Sequence, residues 1–239
     1  MPNHGRVAIV TGAAQGIGYG ISERLARDGY YLVGTDRNGL TMADAVKRLA
    51  AAGLTIRGEP LDVRDRKGAE ALVDSLPRVD VLVNNAGIFK DAEFTDLTER
   101  DFAEVYEVNV TGAAIMAQEA LRKMQAGARI INIASRAFLG ARRHAHYAAS
   151  KAGVIAFVKS LAAELAPDNV LVNAIAPGAT DTAMSRSGST EEEWKKREAV
   201  PPLMGGLTTK EEIVGLVRYL LSEPAKHITG QTFFLRTPK

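Results

Sequence analysis

The chain contains no cysteine, so disulfides, thiolate nucleophiles and cysteine-held metals are excluded at the outset. Charge of one sign is also scarce. Thirty Lys+Arg against 28 Asp+Glu leave a net charge of +2 on 239 residues, which offers no electrostatic footprint for nucleic acid. Long hydrophobic runs are missing too. No stretch approaches the roughly 18 apolar residues that would span a bilayer, and residues 1–6 lead into Val7 without the apolar segment of a signal peptide. The expectation is a cytoplasmic protein with no membrane and no nucleic-acid partner. What is present, 46% hydrophobic and 24% charged residues, is material for a globular core. A chain of this length in alternating α/β form is expected to be a single domain over 1–239.

The order of patterns supports that class. Residues 6–11 are a short, β-branched apolar run that reads as a strand buried on both faces. Gly12, Gly16 and Gly18 follow, then a helical pattern through Ile21, Leu25 and Ala26. A strand, a glycine-rich turn and a helix start form a place where a pyrophosphate can approach backbone N–H groups and a positive helix end. The spacing is G-x-x-x-G-x-G rather than the commoner G-x-G-x-x-G. A second strand, residues 31–35, ends at Asp36, about 20 positions beyond the glycines, where a carboxylate can hold both hydroxyls of an adenosine ribose. The same carboxylate would repel a 2′-phosphate, and Gln15 supplies no positive charge in the turn, so NAD is expected over NADP. Arg37 argues the other way, because a guanidinium could pair with that phosphate.

Further strands are expected over 55–60, 79–83, 129–133, 170–175 and 230–235, with helices over 41–52, 66–76, 98–124, 147–166 and 211–221. Asp62 closes the third strand, where it could accept from an adenine amino group or cap the next helix. Asn109 sits among apolar neighbours inside the 98–124 helix, where an amide must find partners or belong to a site. Residues 183–208, with a lone Trp194, Pro201-Pro202 and Gly205-Gly206, break the alternation and read as an irregular substrate loop. Seven strands alternating with helices imply a Rossmann-type, doubly wound parallel sheet with its sites at the C-terminal strand ends.

Ser135, Tyr147 and Lys151 supply a hydroxyl, a phenol and an amine in one stretch. A helix would put Tyr147 and Lys151 one turn apart on one face. A phenol's usual pKa, near 10, would be lowered by an adjacent ammonium.

Together these pieces resemble the short-chain dehydrogenase/reductase family from about residue 5 to 235. The matching motifs are Thr11–Gly18, Asn84-Asn-Ala-Gly87, Asn109, Ser135, Tyr147-Ala-Ala-Ser-Lys151, Pro177-Gly178 and Ile228-Thr-Gly-Gln231. The resemblance implies hydride transfer between nicotinamide and a secondary alcohol or ketone, with Tyr147 as general acid/base. Lys151 would lower the pKa of Tyr147, Ser135 would hold the substrate oxygen, and Asn109 would position a water linking Lys151 to solvent. The implied cofactor surface takes in Gly12, Gln15, Gly16, Ile17 and Gly18, then Asp36 and Arg37, then Asp62 and Val63. It continues through Asn85, Ala86 and Gly87 to Pro177, Gly178, Thr180 and Thr182, beside Tyr147 and Lys151.

Several positions depart from the family pattern. Twelve residues separate Ser135 from Tyr147, one fewer than in many relatives; Thr180 stands where an aliphatic residue is usual; and the chain ends Phe-Phe-Leu-Arg-Thr-Pro-Lys without Val-Asp-Gly-Gly. A homotetramer is implied, with a dimer as the alternative, through helices near 101–125 and 147–166. The substrate pocket is expected to use Arg136, Ala137, Phe138, His144, Met184 and Trp194. Phe138, Met184 and Trp194 favour an apolar or cyclic alcohol, whereas Arg136, Arg142 and Arg143 would suit a carboxylate or phosphate. The alternatives are a 3-oxoacyl-thioester (acyl-carrier or CoA) reductase and a non-catalytic nucleotide-binding relative. His144 and His146 have no third ligand in the sequence, so no metal is expected.

Overall fold

Seven parallel strands lie side by side in the order β3-β2-β1-β4-β5-β6-β7. They are β1 (Val7–Thr11), β2 (Tyr31–Asp36), β3 (Arg57–Pro60), β4 (Val81–Asn84), β5 (Arg129–Ile133), β6 (Leu171–Ala176) and β7 (Thr232–Phe234). A computed structural model describes residues 5–187, 190–200 and 206–235. The chain starts in the middle of the sheet, winds outward to β3, and returns to add β4 on the other side of β1. That reversal opens a crevice above the C-terminal ends of β1 and β4.

The expected class is therefore the one observed, and the strand sequences explain it. Every residue of β1, β4, β5 and β6 is buried, as β-branched runs in a sheet covered on both faces should be. Alternate residues of β1 feed the two layers. Val7 and Ile9 pack with Val73, Met116 and Val158, while Ala8 and Val10 pack with Ile21, Leu25, Leu49 and Val217. The first layer includes α3 (Arg66–Asp74), α5 (Gly112–Leu121) and α6 (Ala145–Leu165). The second includes α1 (Gly16–Arg27), α2 (Gly39–Ala51) and α9 (Lys210–Leu220). Among the described residues no helix is long and apolar enough to cross a membrane.

Two expectations need correction. The 98–124 helix is not continuous. It consists of α4 (Glu99–Tyr106), a π-helical turn Glu107–Thr111 and then α5. A π turn carries an extra residue and marks functional positions more often than an ordinary turn does, and here it contains Asn109. An apolar 3.6-residue pattern carries no sign of such an insertion. The 183–208 segment is not irregular where it is described. It forms α7 (Ala183–Ser187) and α8 (Glu191–Glu198), and α8 starts at Thr190 with a reciprocal Thr190/Glu193 capping box. That Thr-x-x-Glu signal was present in the sequence. Residues 188–189 and 201–205, including Pro201, Pro202 and Gly205, and the terminal residues 236–239 lie outside the described residues.

The far edge of the sheet depends on one buried amide. Asn173, 1% exposed on β6, donates to the Ile228 carbonyl at 2.7 Å and accepts from Gln231 N–H at 3.1 Å. It thereby holds the segment that leads into β7. Replacing it leaves two backbone groups without these partners, at about 1–3 kcal/mol each where they stay dry. Asn173→Ala should destabilise the fold by about 2–4 kcal/mol in chemical denaturation. A loss below about 0.5 kcal/mol would show that water replaces the amide.

Candidate active site

The turn after β1 is fastened to the turn after β4. The Thr11 hydroxyl accepts the N–H groups of Asn85 and Ala86, each at 3.0 Å. The Asn85 side-chain amide donates back to the carbonyls of Thr11 and Gly12, at 2.9 and 3.1 Å. So tight a junction excludes side chains. A Cβ on Gly12, whose φ is +64°, would lie 2.9 Å from Asn85 Nδ2 and 3.0 Å from Ala86 Cα. A Cβ on Gly18 would lie 2.1 Å from the Gly12 carbonyl oxygen. Gly18 is outside the lining of the cleft, so its glycine is required by the packing of α1 on the turn.

Above this junction opens a cleft of about 490 Å³. Gly12, Gln15, Gly16 and Ile17 form one wall, and Asn85, Ala86 and Gly87 form the next. Gln15 is the N-cap of α1 but its side chain caps nothing, and the first turn contains no acidic residue. The free N–H groups and the positive helix end are thus left for a ligand anion. Asn85 has spent both amide hydrogens on the junction, so only its Oδ1 remains for a ribose. The residues present fit a dinucleotide: a glycine turn with no Cβ, uncapped helix donors, and Asp36 farther along the same cleft.

At the Asp36 end, Oδ1 accepts from Asn38 N–H at 3.1 Å. Arg37, Asp62 and Val63 do not line the cleft. Asp62 is gripped instead by Arg64, through a 2.7 Å Nη2–Oδ2 contact and the Arg64 N–H at 3.0 Å. Those bonds hold its carboxyl below the usual carboxylate range. Val63 is 6% exposed and packs where Gly112 leaves room; a Cβ there would lie 2.5 Å from Val63 Cγ2. The sequence placed Asp62 correctly at a strand end but could not show that an arginine two residues later would take up its oxygens.

The polar centre lies where β5 ends and α6 begins. Ser135 is the N-cap of a 3₁₀ turn, Arg136–Leu139, and its hydroxyl accepts the Ala137 N–H at 3.1 Å. Tyr147 and Lys151 share one face of α6, with Lys151 Nζ 5.6 Å from the Tyr147 ring centroid. Lys151 is 4% exposed and donates to the Ile133 carbonyl at 2.8 Å. Its burial lowers its pKa to about 8. The expected lowering of Tyr147 by Lys151 is not what this arrangement gives. Burial pushes the phenol upward, and the opposing influence is a hydrogen bond with Ser135.

Asn109, 2% exposed, does not line the cleft but supports it from behind. Its amide exchanges two hydrogen bonds with the backbone of Ile88, at 2.8 and 3.0 Å, and donates to Ser150 Oγ at 3.0 Å. Both amide hydrogens are used. A water held by this side chain would have only the second lone pair of Oδ1, on the side facing Gly87 and Lys151.

Pro177, Gly178, Thr180 and Thr182 line the cleft after β6, as do the substrate candidates Arg136, Ala137, His144 and Met184. Two substrate candidates do not. Phe138 turns away to pack on Phe234, centroids 5.8 Å apart. Trp194 is 1% exposed, beneath the guanidinium groups of Arg186 and Arg197 at 4.8 and 5.7 Å. In their place the cleft gains Phe89, edge-on to His144 at 5.0 Å and tilted on Tyr147 at 5.8 Å, and Arg197 from α8. Arg197 belongs to a charge run that reads as a solvated helix, so nothing in the sequence singles it out. Arg142 does not line the cleft, and Arg143 is held by Asp91 at 2.7 Å and Glu93 at 3.1 Å. Of the two histidines, His144 lies 3.1 Å from Asp91, whereas His146 is 1% exposed against Phe102.

Known proteins share both the sequence and this architecture. The family described as enoyl-(acyl carrier protein) reductase matches residues 12–235. The 3-oxoacyl-[acyl-carrier-protein] reductase FabG of Aquifex aeolicus is 39% identical over 235 residues, covering 95% of this chain and 94% of that protein. The protein of the same name from Escherichia coli is 36% identical over 238 residues, with the same coverage. A dehydrogenase/reductase from Sinorhizobium meliloti superposes with a TM-score of 0.89 at 31% identity, covering 98% of this chain and 94% of that one. A short-chain dehydrogenase from Burkholderia cenocepacia, solved in complex with NADP, superposes at 0.87 and 29% identity, covering 99% and 98%. With the strand order, the glycine turn and the Ser135, Tyr147 and Lys151 cluster all in place, the chain belongs to the short-chain dehydrogenase/reductase family and is a nicotinamide-dependent oxidoreductase.

Proposed function

We propose that the protein is a ketoreductase that uses NAD(H) and acts on a 3-oxoacyl thioester. The observation that carries the reaction class is the polar centre on the wall of the dinucleotide cleft, where the half-buried Ser135 and Tyr147 meet the buried Lys151. The cofactor, when bound, supplies the hydride. Tyr147, whose burial keeps its proton at neutral pH, gives that proton to the carbonyl oxygen as charge develops there. Ser135 Oγ donates to the same oxygen and so stabilises the developing alkoxide. The phenolate left behind is favoured by its hydrogen bond with Ser135 and lies one helical turn from Lys151. The remaining Asn109 lone pair offers a place for a water that returns a proton to Lys151. A silent nucleotide-binding relative would have no need of this set.

The substrate reading draws on the chemistry of the cleft and on the relatives' activity. Phe138 and Trp194, two of the three side chains that suggested an apolar alcohol, are not in the cleft, while Arg136, His144 and Arg197 are. No carboxylate lies within ion-pair distance, 4 Å, of Arg136 or Arg197 among the described residues, and Glu193 interacts with Arg197 only at longer range. An oxygen-rich acyl thioester suits such a wall, and it is the substrate class named for the Aquifex and Escherichia relatives. An apolar or cyclic secondary alcohol is the second reading, supported by Phe89 and Met184.

Following reduced-nicotinamide absorbance with a short 3-oxoacyl thioester and with cyclic ketones separates the two. The thioester should have the higher kcat/KM, and preference for the cyclic ketones would overturn the first reading. In the same assay Tyr147→Phe should lose about 10²–10⁴-fold in kcat while cofactor affinity stays within about threefold of wild type. Near-normal turnover would remove Tyr147 from the proton step.

The cofactor preference follows from Asp36, whose carboxylate lines the cleft, and from Gln15, which brings no charge to the turn. Like charges a few ångströms apart cost on the order of 1–4 kcal/mol near a surface. NAD should therefore exceed NADP by at least about tenfold in kcat/KM, and Asp36→Ala should narrow the gap chiefly by improving NADP. An unchanged ratio would place the discrimination elsewhere.

The Lys151 ammonium also makes a pH prediction. Its pKa is about 8 in the fold and about 10.5 in the unfolded chain, so between these values the unfolded state binds more protons and stability rises with pH. The full change is roughly 3 kcal/mol, from about 1.36 kcal/mol per pKa unit. Urea denaturation from pH 7 to 10.5 should show this rise, and Lys151→Met should flatten it. Parallel wild-type and variant curves would contradict the assignment.

A further inference from the structure

At the end of the sheet opposite the cleft lies a second cavity, of about 820 Å³, bounded by the start of β1, the end of α1, the start of β5 and the end of α9. Six of its lining residues are cations and three are carboxylates; one of the cations, Arg27, is paired with Glu23 at 2.7 Å. The carboxylates that line it are already engaged. Asp80 is held by Arg78 and by the Val7 N–H at 2.8 Å. Asp28 is shared by Arg24 at 2.7 Å and Arg218 at 3.3 Å, and Glu223 pairs with Lys226 at 2.8 Å.

Arg129 is the exception. It opens β5, is only 9% exposed, and has no ion pair among the described residues. One guanidinium nitrogen makes a long contact of 3.3 Å with the Gly127 carbonyl, and Nε is buried without any partner. Arg6, across the same cavity, likewise has no ion pair among the described residues and bonds instead to the Tyr30 phenol. Burial, first, and the neighbouring Arg6 charge disfavour the Arg129 cation, and the Glu223 carboxylate, itself paired with Lys226, offsets them only in part. A buried guanidinium is costly until an anion satisfies its donors. The fork of an arginine matches the oxygens of phosphate.

We propose that this cavity is a binding site for a multiply charged phosphate ligand, with Arg129 as its buried anchor and Arg6 as its outer clamp. The cavity is too large for one phosphate, and its cations exceed its carboxylates, so a phosphate chain fits better than a single anion. Two sources share that chemistry: an inorganic polyphosphate and the phosphate tail of a nucleoside triphosphate.

The test is calorimetric titration of the full-length protein, saturated with NADH so that the glycine turn is filled. The titrants are inorganic tripolyphosphate, ATP and orthophosphate. Tripolyphosphate should bind one-to-one, with a Kd on the order of 100 μM or tighter, and orthophosphate at least about tenfold more weakly. Tighter binding of ATP than of tripolyphosphate would identify a nucleotide as the source, and equal binding the phosphate chain alone; both support the site. Arg6→Glu, at an exposed side chain, should weaken binding by about tenfold or more and leave kcat unchanged, and Arg129→Gln should do the same if it folds. The proposal is overturned if neither tripolyphosphate nor ATP saturates below about 5 mM, if orthophosphate binds as tightly, or if Arg6→Glu binds like wild type.

Discussion

The cleft depends on a single buried hydroxyl. Thr11, 1% exposed at the end of β1, accepts two consecutive backbone N–H groups from the turn after β4. Without it, those donors would lose their partner, each at a cost of about 1–3 kcal/mol where water does not replace it. With it, two turns that belong to opposite winding halves of the sheet become one rigid floor. Asn85 closes the same junction from the other side, and Gly12 and Gly18 are glycine because the junction leaves no room for a Cβ. The reversal of strand order makes a crevice possible; this set of hydrogen bonds gives it a fixed shape.

That floor positions the chemistry through a second layer of bonds. Ile88, just beyond the floor, is held by Asn109, and Asn109 is bonded to Ser150 in the helix that bears Tyr147 and Lys151. The π turn gives Asn109 a place facing inward. Lys151, in turn, is tied to the carbonyl of Ile133, two residues before Ser135. The glycine turn, Ser135 and Tyr147 therefore share one bonded frame. The ammonium carries the electrostatic cost of that frame. In the ligand-free protein its charge is spent on a carbonyl, while the Tyr147 proton is retained by desolvation.

How much of this could be read from the sequence divides along physical lines. The parallel doubly wound sheet, the glycine turn and the gathering of Ser135, Tyr147 and Lys151 at one cleft were legible because each depends on local pattern or fixed spacing. Asp62, Phe138 and Trp194 were misassigned because direction and competition are not local properties. Arg64 takes Asp62, Phe234 takes Phe138, and two arginines cover Trp194. Gly18 was placed on the cofactor although its constraint comes from the Gly12 carbonyl behind it. Arg197 and Phe89 had no signal at all, since a charged helix and a lone aromatic look ordinary until the fold turns them toward the cleft.

The displacement of Trp194 changes the chemistry expected of the substrate. As a cleft wall it would have been a large apolar surface. As a buried platform it shapes its surroundings through the arginines stacked on it. Arg186 is neutralised by Asp181 at 2.6 Å, with Glu198 at 3.5 Å and Glu191 at 3.8 Å. Arg197, on the same indole, has no such carboxylate among the described residues and reaches the cleft. A tryptophan that packs one paired and one unpaired guanidinium holds the unpaired one in place at little entropic cost. The side chain that suggested an apolar pocket thus supports a cationic one, and that exchange is the reason an acyl thioester is proposed ahead of an apolar alcohol.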